Sequence, residues 1–167
     1  AASITHENVV AVHQVEHAAE GELPYLVMQL ITGETLEQRL LRDTRMPLKE
    51  IVRISLQTTQ GLAAAHAQGL THRDIKPGNV ILANGDATRV KLLDFGIAHL
   101  DDPTRAVTRT GLVLGTVGYM APEQARGARE IDSRADVFSL GALLFHCLAG
   151  RPPFSGGPAV AVLAKLV

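Results

Sequence analysis

The chain has 167 residues, 46% of them hydrophobic, a formal net charge of -1 and a single cysteine, Cys147, which suits one globular unit with a sizeable core. Near-neutral charge without a Lys/Arg run argues against a nucleic-acid surface, and one cysteine excludes an internal disulfide and fits a reducing, cytoplasmic setting. No apolar run is long enough to span a bilayer, and the first residues have neither the basic start nor the apolar stretch of a signal peptide.

Apolar residues recur with strand-like spacing from Asn8 to Val15, and Tyr25 to Ile31 is a short apolar run. The polar stretch between them predicts a two-stranded hairpin. Thr35 and Gln38 have the spacing of a reciprocal helix start, leading through Leu40 and Leu41 to a turn at Asp43-Thr44-Arg45. A long helix is expected over Pro47–Ala67, with Leu48, Ile51, Val52, Leu56, Thr59, Leu62, Ala63 and His66 as its apolar stripe and Gly69 as its stop. Val80-Ile81-Leu82 and Val90-Lys91-Leu92-Leu93 flank Asn84-Gly85-Asp86, a second hairpin. Ala98–Tyr119 lacks periodicity and reads as a long functional loop. Ser133–Ala149 is apolar on several faces, which predicts a buried central helix ending at Gly150. A further apolar helical pattern runs from Val160 to Val167.

Three ordered motifs carry the chemistry: His72-Arg73-Asp74-Ile75-Lys76-Pro77-Gly78-Asn79, then Asp94-Phe95-Gly96, then Ala121-Pro122-Glu123. Moving a γ-phosphoryl group needs a carboxylate for the incoming hydroxyl, a cation for the developing charge and oxygen ligands for Mg²⁺. Asp74 is the candidate base and Lys76 the candidate cation; Asn79 and Asp94 are the candidate Mg²⁺ ligands. Any one of these residues alone is by default a turn former or a solvated charge; the ordered set is what points to phosphoryl transfer.

With these motifs the chain resembles the eukaryotic-like serine/threonine protein kinases, most closely their bacterial branch. The resemblance implies an α+β, protein-kinase-like fold: residues 1–31 as the end of the N-terminal lobe and its hinge, and 32–167 as an incomplete, mostly helical C-terminal lobe. It implies ATP and Mg²⁺ as cofactors and a protein Ser/Thr hydroxyl as acceptor, with membrane anchoring only through parts outside this chain. Met28 would guard the back of the adenine pocket, the backbone of Gln29 and Ile31 would bind the base, and Ile81 would form an apolar floor. Thr116 would brace Asp74 and Lys76. Arg73 resembles the arginine that pairs with a phosphorylated activation loop, with Thr108 or Thr110 as the phosphosite, Thr104 as another candidate and His99 as a helper when protonated. Phe95 would pack beneath the site and Gly96 would let the backbone switch. His72 would support the loop from below, and Asp136 would accept hydrogen bonds from the backbone around His72 and Arg73. Glu123 would pair with an arginine beyond Val167.

The resemblance also makes absences informative. No Gly-x-Gly-x-x-Gly occurs, and Lys49, the one lysine before the catalytic motif, falls in the long helix. The sequence therefore reads as a domain truncated at both ends, marginal and poor at binding MgATP by itself. Two function classes stay open: the catalytic core of an active kinase, or a non-catalytic kinase-like interaction module. Retention of Asp74, Lys76, Asn79 and Asp94 together favours the first. A small-molecule phosphotransferase of similar fold is disfavoured by Asp94-Phe95-Gly96 and Ala121-Pro122-Glu123. His13 and His17 have helical metal-ligand spacing but fall in a strand and loop, where it does not converge.

Overall fold

A computed structural model describes residues 4–16, 25–43, 45–95 and 117–167. The first expected hairpin forms from β1 (Val12–Glu16) and β2 (Tyr25–Met28), antiparallel, with Val12 opposite Met28 and the register shifted before Gln14. A second, three-stranded antiparallel sheet has the order β3-β4-β5, from Gly33–Thr35, Val80–Ala83 and Val90–Leu92. The segment before β1 runs against β5: Val10 N–H donates to Leu92 O at 2.9 Å and Leu92 N–H to Asn8 O at 2.8 Å. Gly33 is required where β3 meets β4. Its φ is 151°, and a Cβ there would lie 2.2 Å from Leu82 O.

Helix α1 (Leu36–Asp43) begins as expected: Gln38 N–H donates to Thr35 Oγ1 at 3.2 Å, and Thr35 N–H to Gln38 Oε1 at 2.9 Å. Leu36 and Leu40 point to the core. On its outer side Arg39 pairs with Glu50 at 3.0 Å, and Arg42 with Glu34 at 2.6 Å, tying α1 to α2 and β3.

Helix α2 (Leu48–His66) forms close to the expected bounds, and its buried face shares Ile51 and Leu62 with the expected stripe but is otherwise rotated from it. Ile51, Ile54, Thr58, Gly61, Leu62 and Ala65 are inside, whereas Leu48, Val52 and Leu56 are exposed and so lie off it. The winning face contains the small residues: a Cβ on Gly61 would be 3.0 Å from both Asn8 O and Leu92 Cδ1, so the helix lies close on β5 and the segment before β1. Close approach of the backbones decides the face, over the size of the apolar side chains.

After the short α3 (Pro122–Ala125) comes α4 (Ser133–Ala149), whose start is capped by Asp132 accepting from Arg134 N–H and whose end is a left-handed Gly150, φ 72°. The expectation that α4 is buried all round is corrected. It buries one face through Ala135, Asp136, Ser139, Ala142, Leu143 and Cys147, while Val137, Phe145 and Leu148 are exposed. Helix α5 (Ala159–Leu166) adds Val162 and Leu166 to the interior. The main core joins α1, α2, α4, β4 and β5 through Leu36, Ile54, Leu82, Leu92 and Leu143; each fully buried side chain is worth about 2 kcal/mol of transfer free energy. Among the described residues no helix is long and apolar enough to cross a membrane.

Candidate active site

The loop between α2 and β4 is held by a buried carboxylate and a buried ring. Asp136, with no exposed surface, accepts at Oδ2 from His72 N–H (2.8 Å) and from His66 Nε2 (2.7 Å), and at Oδ1 from Arg73 N–H (2.8 Å). Burial without such partners would be costly for a carboxylate; here three donors compensate it. The backbone around His72 and Arg73 is thereby fixed to α4, as the resemblance implies. His66 comes from the end of α2, and reading it only as a stripe residue missed this role.

Burial lowers the pKa of His72, and the neutral ring then donates from Nε2 to Leu93 O at 2.7 Å and accepts at Nδ1 from Asp74 N–H at 3.3 Å. Its ring packs against Phe95 at 4.6 Å between centroids, which places Phe95 beneath the loop as expected. Leu93 is thus tied to His72, and its N–H also donates to Asn79 O at 2.9 Å. These two bonds seat Asp94, the next residue, beside the loop that carries Asn79. Asp94 is exposed and has φ 51°, while Arg73 has φ 65°; both are left-handed conformations that a non-glycine residue holds only when its surroundings impose them.

Asp74, Lys76 and Asn79 converge. Asp74 Oδ2 accepts from Lys76 Nζ at 2.7 Å and from Asn79 Nδ2 at 2.9 Å, and Asn79 Nδ2 also donates to Asp74 O at 2.7 Å. Pro77–Asn79 forms a 3-10 turn that folds Asn79 back onto Asp74. With its nitrogen committed, Asn79 has its amide oxygen to offer a cation. Asn79 and Asp94 together supply hard oxygen donors, one neutral and one anionic, which fits Mg²⁺ rather than a softer metal. Among the described residues no group of three His, Cys, Asp or Glu side chains is assembled as a metal cluster.

A small depression opens beside Asp74, lined by Arg73, Asp74, Ile75, Tyr119, Met120 and Ser139. Tyr119 Oη is 2.6 Å from His146 Nδ1, which fastens the turn Val117–Tyr119 to α4. Arg73 places one guanidinium nitrogen 3.2 Å from Ile131 O. Cys147 is a core residue, its thiol pushed up to about 12 by burial.

The residues expected to meet a base come from β2, the segment that follows it, and β4. Met28 ends β2, Gln29 follows it, and Gln29 N–H donates to Ala11 O at 2.8 Å, which restricts base recognition by Gln29 to its carbonyl. Ile31 is partly buried, and Ile81 sits on β4 on the face opposite the fully buried Val80 and Leu82. Thr104, Thr108, Thr110, Thr116, His99, Gly96 and His17 lie outside the described residues.

The family model described as "Protein kinase domain" matches residues 1–164. The chain is 41% identical over 164 residues to the serine/threonine-protein kinase PknB of Mycobacterium leprae (strain TN), covering 97% of this chain and 26% of that protein. It is 41% identical over 165 residues to the PknB of Mycolicibacterium smegmatis, with the same shares. To the serine/threonine-protein kinase PknA of Mycobacterium tuberculosis (strain H37Ra) it is 40% identical over 167 residues, 98% of this chain and 38% of that protein. The chain therefore spans about a quarter to two fifths of the length of these relatives.

Proposed function

Because the chain belongs to the protein kinase domain family, we propose that it is the catalytic core of a serine/threonine protein kinase that transfers the γ-phosphoryl group of ATP to Ser or Thr hydroxyls of proteins. The observation that carries the reading is the convergence of Lys76 and Asn79 on one oxygen of Asp74. With Oδ2 so occupied, Oδ1 is the oxygen with lone pairs for the incoming hydroxyl. It orients that hydroxyl for attack and takes its proton as the new O–P bond forms and the bond from the γ-phosphorus to the departing ADP breaks. Lys76 holds an ammonium beside that carboxylate, where negative charge on the transferring group gathers.

Asn79 and Asp94 would hold Mg²⁺, which when bound supplies charge neutralisation on the phosphates. Met28, the carbonyl of Gln29, the amide of Ile31 and Ile81 form the proposed adenine edge, and residues 1–31 the part belonging to the smaller lobe. Thr116 is assigned as the brace of Asp74 and Lys76. Regulation would run through phosphate on Thr108 or Thr110 read by Arg73, whose guanidinium holds a single carbonyl that a phosphate outcompetes.

The test is Asp74→Asn in the protein as its complete gene encodes it. Phosphate transfer from labelled ATP should fall by about 10²–10⁴-fold, with nucleotide affinity kept, and phosphate mapped to Thr108 or Thr110 in the parent should vanish from the variant. Undiminished transfer in the variant would remove Asp74 from the mechanism, whereas a parent protein that transfers no phosphate would move the non-catalytic interaction module to the front.

A further inference from the structure

Gln124 is the third residue of α3, and its side chain reaches across to the catalytic loop. Its Nε2 donates to Arg73 O at 2.7 Å, while its Oε1 accepts from Ala121 N–H at 3.1 Å. Arg73 O and Asp74 N–H belong to the same peptide unit. Gln124 grips that unit by its oxygen, and the His72 ring grips it by its N–H at 3.3 Å. The preceding unit is held through Arg73 N–H on Asp136. The left-handed Arg73, φ 65°, is thus pinned on both sides, and a rotation of the Arg73–Asp74 peptide would swing the Asp74 carboxylate directly. Of the two grips on that unit the bond from Gln124 is the shorter. It is also the one made by a segment distant in sequence, the stretch from Tyr119 to Ala125.

We infer that Gln124 is a positioning residue for phosphoryl transfer, coupling the seating of residues 117–125 to the aim of Asp74. The inference rests on the reading of Asp74 as the base. A merely structural Gln124 would serve only to cap α3 through Ala121, and the two roles use different atoms of the same amide. Glu at this position keeps the acceptor for Ala121 and loses the donor to Arg73 O; Lys keeps a donor and loses the acceptor; Met loses both.

The experiment is steady-state kinetics on the complete protein carrying Gln124→Glu, Gln124→Met and Gln124→Lys, beside Asp74→Asn. Misaiming a catalytic group by a fraction of an ångström costs rate without costing nucleotide affinity. Glu and Met should each lower kcat about tenfold with KM for ATP unchanged, and Lys should recover most of the loss. If Glu behaves as the parent while Lys is as impaired as Met, Gln124 is a helix cap and the inference is overturned. Undiminished turnover in Asp74→Asn would instead withdraw the underlying reading, whatever the Gln124 variants do.

Discussion

The ring of His72 is sealed from water, and burial lowers its pKa against the opposing pull of Asp136, Leu93 O and Asp74. The unfolded chain protonates this ring near pH 6.5, whereas the folded protein does so only at lower pH. The stability that the neutral ring confers is complete above about pH 6.5 and declines as pH falls through the interval down to the folded value, by at most about 1.4 kcal/mol per pH unit. His146, also lowered by burial, acts in the same direction but is more open to solvent. Urea midpoints compared at about pH 7.5 and about pH 5.5 should show the acid loss, and His72→Asn should flatten it. An equal slope in the variant would mean that His72 is not the group responsible. Motif reading finds such residues because their chemistry dictates identity at a fixed spacing, as with Asp74, Lys76 and Asn79. It passed over His66 and Gln124, whose partners lie 70 and 51 positions away in the chain.

Helix α2 shows what patterning can and cannot tell at the scale of an element. Two apolar stripes run along it, and Leu48, Val52 and Leu56 belong to the exposed one although the two leucines are as large as the buried Ile51, Ile54 and Leu62. The buried stripe is marked by Thr58, Gly61 and Ala65, residues that a hydrophobicity count undervalues. Gly61 sits where Asn8 O and Leu92 Cδ1 approach to 3.0 Å, so Gly61→Val should push α2 off β5 and destabilise the fold by about 1–3 kcal/mol. Thermal or urea denaturation measures this directly. A variant as stable as the parent would show that α2 does not need its close approach. The hairpins, the start of α1 at Thr35 and the ends of α2 and α4 at glycines were legible because turn and cap chemistry is local. The adenine edge around Met28 is not legible in that way, since recognition by main-chain groups leaves no side-chain signature.

At the scale of the whole molecule, the α+β fold places Arg73, Asp74, Lys76 and Asp94 on connections between elements and Asn79 in the short turn leading into β4, with the elements themselves serving as anchors. The loop after α2, the end of β5 and the start of α3 are separate in sequence, and each is tied to α4 or to another by side-chain bonds from Asp136, His72 and Gln124. The extent of these ties was only partly legible: the resemblance anticipated Asp136 beneath the loop, while the meeting of α2, α4 and the loop at one carboxylate depends on tertiary packing.

Asp136 has a consequence for exchange with solvent. The amide hydrogens of His72 and Arg73 lie in a loop, where exchange with deuterium is ordinarily rapid, yet both are donated to a carboxylate rooted in the first turn of a core helix. Their release therefore requires the opening of that helix, and they should exchange as slowly as the amides of its middle turns. Amide-resolved exchange should record one shared opening free energy for the loop and the helix; fast exchange at either loop amide would show that the two open independently.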